Sequence, residues 1–266
     1  MQELNLVERL VEASPGAEIW WDSSPIIFQG WSRKMLDIAA PADRANLSRQ
    51  FTRMFDDNSP ATQLFRGVTT NPVLSMQAIH ADEDHWRMVA DEIIRGNAGL
   101  SEEDLFWLLY KEVVRRGSEM LLPLYEATAG RQGFVSAQVD PRRIFDAQSM
   151  LAQAFELRAI NPNVMIKIPG SKEGYEVLEE LTAEGIPTNN TLTFVLAQLI
   201  DCARTIQRGI DRAKAKGVDL TQWRSVASYM LELPRFRGHL TMGSASSPER
   251  SSHGEDQATL PSGVPC

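Results

Sequence analysis

The chain has 266 residues, 43% of them hydrophobic, and a formal net charge of −8, enough for one large domain with a sizeable core. That acidic balance argues against nucleic acid or an anionic membrane as partner, since either would call for a basic surface. Cys202 and Cys266 are too few for a disulfide framework, so a reducing, cytoplasmic compartment is expected.

No apolar run has the length of a membrane span, and Met1-Gln-Glu-Leu-Asn-Leu6 lacks the basic-then-apolar order of a signal peptide. His80, His85, His239 and His253 show no metal-ligand spacing with the cysteines, so no metal is expected. No internal repeat is present.

The first predicted element is the apolar run 17–22, a strand whose end carries the carboxylate of Asp22. Helical material follows over 30–63, broken by Pro41 and by the turn-rich Asp56-Asp-Asn-Ser-Pro60. Phe65-Arg-Gly-Val-Thr-Thr70 is β-branched and leads into Asn71-Pro72, a second strand ending in polar residues. Helical patterns run from about 75 to 95 and, after the cap-like Ser101-Glu-Glu-Asp104, to about 116. The segment 119–130 is apolar enough to pack as a further helix. A third strand spans 133–139, with Asp140-Pro-Arg142 opening a helix that reaches about residue 159.

The fourth strand is Asn161-Pro-Asn-Val-Met-Ile-Lys-Ile-Pro-Gly170. Val164, Ile166 and Ile168 alternate with Met165 and Lys167, and Pro169-Gly170 stops the run before a helix over 172–181. A lone lysine in so apolar a strand either reaches water at the strand end or is enclosed. Enclosure lowers an ammonium pKa, and a neutral amine is the form that attacks a carbonyl to give a Schiff base. A fifth strand is predicted over 185–191, a helix over 194–216 and a sixth strand over 224–229.

Strands separated by helices imply parallel βα units. Six units in this length, with no Gly-rich phosphate turn after the first strand, point to an α/β fold of TIM-barrel type rather than an open doubly wound sheet. Asp22, Thr70, Asn71, Gln138, Lys167, Asn189 and Thr191 then fall at or near strand C-termini, the end at which such barrels build their sites. Each has a dull alternative, as turn former, solvated tip or helix cap. Their coincidence on successive strands favours function.

These residues resemble transaldolases. Gly67-Val-Thr-Thr-Asn-Pro72 is similar to the family's threonine-threonine-asparagine-proline signature, and Val164-Met-Ile-Lys-Ile-Pro169 to its Schiff-base strand. Trp20-Trp-Asp22, Val135-Ser-Ala-Gln-Val-Asp140, Glu184-Gly-Ile186 and Asn189-Asn-Thr-Leu192 match the flanking strands in order, over roughly residues 5 to 230. The resemblance implies transfer of a dihydroxyacetone unit between sugar phosphates of the pentose phosphate pathway, with no metal or organic cofactor. The donor would be fructose 6-phosphate or sedoheptulose 7-phosphate, and the acceptor an aldose phosphate such as erythrose 4-phosphate or glyceraldehyde 3-phosphate. It also implies Lys167 as nucleophile, Asp22 as proton carrier, Asn71 and Asn189 as ligands of donor hydroxyls, and Thr191 as holder of the catalytic water. Thr70 and Ser228 would join the substrate site. A homo-oligomer is left open.

Three departures stand out. Gln138 occupies the position where most transaldolases carry glutamate; a fructose 6-phosphate aldolase branch has glutamine there, and an amide orients water without exchanging its proton at neutral pH. The phosphate-binding arginine expected after the sixth strand lands on Leu233, leaving Arg235 as a substitute. The last two strands have no counterpart, so a barrel incomplete after the sixth unit is expected over 1–238. A disordered Ser/Gly/Pro-rich tail is expected over 239–266, as in a truncated or frameshifted product. The alternative functions are an impaired relative that binds sugar phosphates or a protein partner, and an aldolase-type lyase.

Overall fold

The period-two runs do form strands: β1 Ile19–Asp22, β2 Phe65–Thr69, β3 Phe134–Gln138, β4 Val164–Pro169, β5 Thr188–Thr193 and β6 Ser225–Tyr229. The computed structural model describes residues 4–56 and 58–230, all within the unit Met1–Leu231. The expected tail over 239–266 and residues 231–238, Arg235 among them, lie outside the described residues.

The strands lie in sequence order, each parallel to the next. A doubly wound sheet reverses direction part-way; this one never does. With right-handed crossovers, one direction of winding puts every connecting helix on the same face, so the sheet curls to enclose the other. The curl is visible at the strand N-termini, where Arg224, just before β6, reaches Glu18, just before β1 (Arg224 Nη1 to Glu18 Oε1, 3.0 Å). On a flat sheet those edges would stand about 24 Å apart, five strand spacings. The described residues thus form a curled, TIM-type α/β sheet.

The helices are α1 Leu6–Ala13, α2 Phe28–Ile38, α3 Arg44–Met54, α4 Pro72–His80, α5 Glu83–Gly96, α6 Glu102–Ala127, α7 Ala147–Arg158, α8 Lys172–Ala183 and α9 Leu196–Lys216. The helices differ from the sequence expectation in four respects. The single helix expected over 75–95 is two, because Asp82 turns its carboxylate onto the His85 N–H (3.3 Å) and starts α5 afresh. The two helices expected around residue 117 are one, because Tyr110, Val113, Val114, Gly117, Leu121 and Leu124 keep a helical period on one buried face. Beyond β3, Asp140 binds Arg142 (Oδ2 to Nη2, 2.7 Å) in a short 3-10 turn, and α7 waits for its cap at Asp146. Finally, α1 was not expected at all.

The two faces of the sheet differ in chemistry. Ala137, Val139, Val164, Ile166 and Ile168 point outward into a core with Tyr110, Val114, Met150, Ala154, Leu157, Val177 and Leu181 of the helices. Each such aliphatic side chain fully withdrawn from water contributes about 1.5–3 kcal/mol. The alternate residues face inward and are mostly polar. Beneath them the Trp20 indole lies against Gly67, where an added Cβ would come within 2.7 Å of Trp20 Cδ2. Only glycine on β2 allows that approach.

Candidate active site

Strand register assembles the inward residues into tiers. Gln138 of β3 pairs with Lys167 of β4, and Lys167 pairs with Asn189 of β5, so an amide, an amine and an amide share one face at one level. One step toward the strand N-termini, Asp22 pairs with Thr69 and Thr69 with Ser136. One step the other way, Thr191 pairs with Pro169.

Lys167 is enclosed, with 8% of its surface exposed. Its Nζ donates to the Thr70 carbonyl at 3.5 Å. Burial lowers its pKa from the ordinary lysine value, while the negative charge of Asp22 opposes that shift in part. Asp22, at the exposed end of β1, accepts from the Thr69 hydroxyl at 2.5 Å. The snorkelling alternative therefore fails: this ammonium sits in the curl, within the field of a single carboxylate.

Asn189 is fully buried and its amide is fixed at both ends. Its Nδ2 donates to Ser136 Oγ at 2.9 Å, and its Oδ1 accepts from Ser228 Oγ at 3.0 Å. A side chain of β5 meets one of β3 across the intervening strand only because the sheet is strongly curved. Asn71 caps α4, its Oδ1 accepting from the Leu74 N–H at 2.9 Å, which commits the oxygen and leaves the amide NH2 for other work. Thr70 is buried, its hydroxyl 3.4 Å from Ser75 Oγ. The Gln138 amide and the Thr191 hydroxyl make no side-chain hydrogen bond among the described residues.

Of the nine residues singled out from sequence, seven lie in the C-terminal half of a strand or just after it, and Asn189, second in β5, is level with Lys167 and Gln138 by register; the ninth, Arg235, lies outside the described residues. Sequence reasoning passed over Ser136 and Thr69. Their signal was parity, since Ser136 stands two residues before Gln138 on one strand and so shares its face. Clefts elsewhere, such as one of about 780 Å3 beside Trp31, His85, Trp86 and Arg116, share no residue with this cluster.

What the geometry defines is a class, a curled parallel α/β sheet carrying an enclosed lysine among neutral hydrogen-bonding groups and one carboxylate. The family model described as Transaldolase/Fructose-6-phosphate aldolase matches residues 46–229. "Transaldolase 1" of Streptomyces avermitilis is 37% identical over 167 residues, covering 62% of this chain and 43% of its own length. "Transaldolase" of Thiobacillus denitrificans is 34% identical over 193 residues, covering 70% of this chain and 52% of its own. "Transaldolase" of an Arthrobacter species is 36% identical over 167 residues. The chain belongs to the transaldolase/fructose-6-phosphate aldolase family, and it spans about half the length of the curated relatives it matches.

Proposed function

We propose that this chain carries transaldolase chemistry, moving a dihydroxyacetone unit from a ketose phosphate to an aldose phosphate through an imine on Lys167. The observation that carries the reading is the enclosed amine of lowered pKa, register-paired with Gln138 and Asn189 and within the field of Asp22. A desolvated lysine supplies the neutral amine that attacks the donor's C2 carbonyl. Loss of water gives the iminium. The C3–C4 bond then breaks, its electron pair flowing into the iminium while the C4 hydroxyl proton passes to the Asp22 carboxylate and the aldose leaves. The resulting enamine attacks the acceptor aldehyde, Asp22 returns the proton, and water hydrolyses the new imine.

The neutral groups have positioning roles in this scheme. The Asn189 amide, locked by Ser136 and Ser228, and the Asn71 NH2, without a partner among the described residues, orient donor hydroxyls. Thr191 and Gln138 have side chains without partners among the described residues, and they hold the water of imine formation and hydrolysis. Thr70 lines the lysine through its carbonyl.

Gln138 favours one second reading. An amide orients water but passes no proton, which suits simple cleavage releasing dihydroxyacetone. Products from fructose 6-phosphate plus erythrose 4-phosphate separate the two. Transfer yields sedoheptulose 7-phosphate, and Gln138→Glu should raise its rate by on the order of tenfold or more. Free dihydroxyacetone without transfer would establish the lyase reading instead, and neither product from folded protein would end both.

A further inference from the structure

Tyr110 of α6 lies on the outer side of the sheet, 1% exposed, its ring stacked on Trp107 with centroids 5.4 Å apart. Its hydroxyl accepts a hydrogen bond from the backbone N–H of Gln138 at 2.7 Å. Burial drives its ionisation far above the ordinary tyrosine range, against the opposing pull of that N–H, so the phenol is a neutral acceptor at any working pH.

The bond is out of place in the ladder. Parallel strands exchange evenly spaced rungs, so a residue that donates to position j of its neighbour accepts from position j+2. Thr70 donates to the Ser136 carbonyl at 3.0 Å, and its own carbonyl is therefore due to accept from Gln138. It does not. The chain leaves the sheet at Asn71-Pro72 to begin α4, Tyr110 takes the Gln138 N–H, and the Thr70 carbonyl receives Lys167 Nζ at 3.5 Å instead. On its other edge β3 keeps its rung, Val139 N–H to the Lys167 carbonyl at 3.1 Å.

We infer that Tyr110 is a positioning residue: by intercepting the last rung between β2 and β3, it keeps the Thr70 carbonyl free to hold the Lys167 amine. Its catalytic consequence rests on the imine reading above; its geometry does not. Removing the hydroxyl leaves the Gln138 N–H without a partner in a dry core, and the acceptor due to it in the ladder is the Thr70 carbonyl. Lys167 then competes for that oxygen and loses a contact that favours its protonated form. The groups set beside the amine by register or contact, Gln138, Asn189 and Thr70, are neutral. Asp22 of β1 is the ionisable group acting on it among the described residues.

The test compares full-length protein with Tyr110→Phe, which keeps the ring and removes only the acceptor. The pH dependence of Lys167 acylation by acetic anhydride, read by peptide mass, reports the amine without any sugar. The midpoint should fall by on the order of half a unit to one unit in the variant. An unchanged midpoint with a lowered Tm would reduce Tyr110 to a packing residue and overturn the inference. Should the variant not fold, the native protein still decides. The Thr70 carbonyl 13C shift should follow the Lys167 titration, and a Thr70 carbonyl indifferent to it contradicts the proposal. A shifted midpoint in a protein that never forms an imine would sink the functional reading and leave this one standing.

Discussion

Lys167 occupies a strand whose six residues are all buried, and its enclosure costs stability in return for reactivity. Burial lowers the folded-state pKa, with Asp22 opposing. Between that lowered value and the ordinary lysine value, the unfolded chain still holds a proton that the folded chain has released, so stability rises with pH across the window. Below the window the folded protein carries the full cost of a desolvated ammonium. Lys167→Met, similar in length and without charge, should therefore be inactive yet more stable than the native protein at neutral pH. Tm should rise by roughly 2–4 °C for each kcal/mol relieved, and the gap should shrink as pH climbs toward the ordinary lysine value. Denaturation at several pH values checks this, and a variant less stable at pH 7 would mean the ammonium is fully compensated. At this scale sequence shows which residues share a face, because strand parity is local. It does not show which side chains meet across the curl. Lys167 stood out through that alternation, and Gln138 and Asn189 through their place near strand ends and the family resemblance, whereas the Ser136–Asn189–Ser228 chain and the Tyr110 contact did not show.

Some elements were legible from local signals, while others were lost because a local cap was passed over or a long-range contact decided. Strand β4 and the start of α8 follow from alternation, Pro169-Gly170 and the Ser171 cap, whose Oγ accepts from the Gly174 N–H at 3.0 Å. The capping box of α1 was passed over although its residues, Asn5 and Glu8, stand in the sequence, each bonding the other's N–H at 2.9 and 2.8 Å. The continuity of α6 was not readable, since Gly117 and Pro123 are ordinary breakers, and packing against β3 overrides them. Gly67 has a demand visible only in three dimensions, the Trp20 indole on its face. Gly67→Ala should lower stability by about 1–3 kcal/mol through overpacking and should shift tryptophan fluorescence as the indole moves. Native-like unfolding and emission would show that the layer beneath Asp22 has room to spare.

For the whole molecule, alternation of strand and helix gave the α/β class, but the curl depends on winding direction, a property of no single segment. Its consequence is the central one. A sheet wound one way gathers β1 through β5 around Lys167 and leaves the apolar face to the helices. The residues matched to the family model, 46–229, hold every one of these groups except Asp22. The most direct measurement is borohydride reduction in the presence of fructose 6-phosphate, followed by peptide mass analysis of the full chain. The account predicts a reduced dihydroxyacetone adduct on Lys167 and on no other lysine, with none formed in Lys167→Met. A folded protein that acquires no adduct, or acquires it at another lysine, would contradict it.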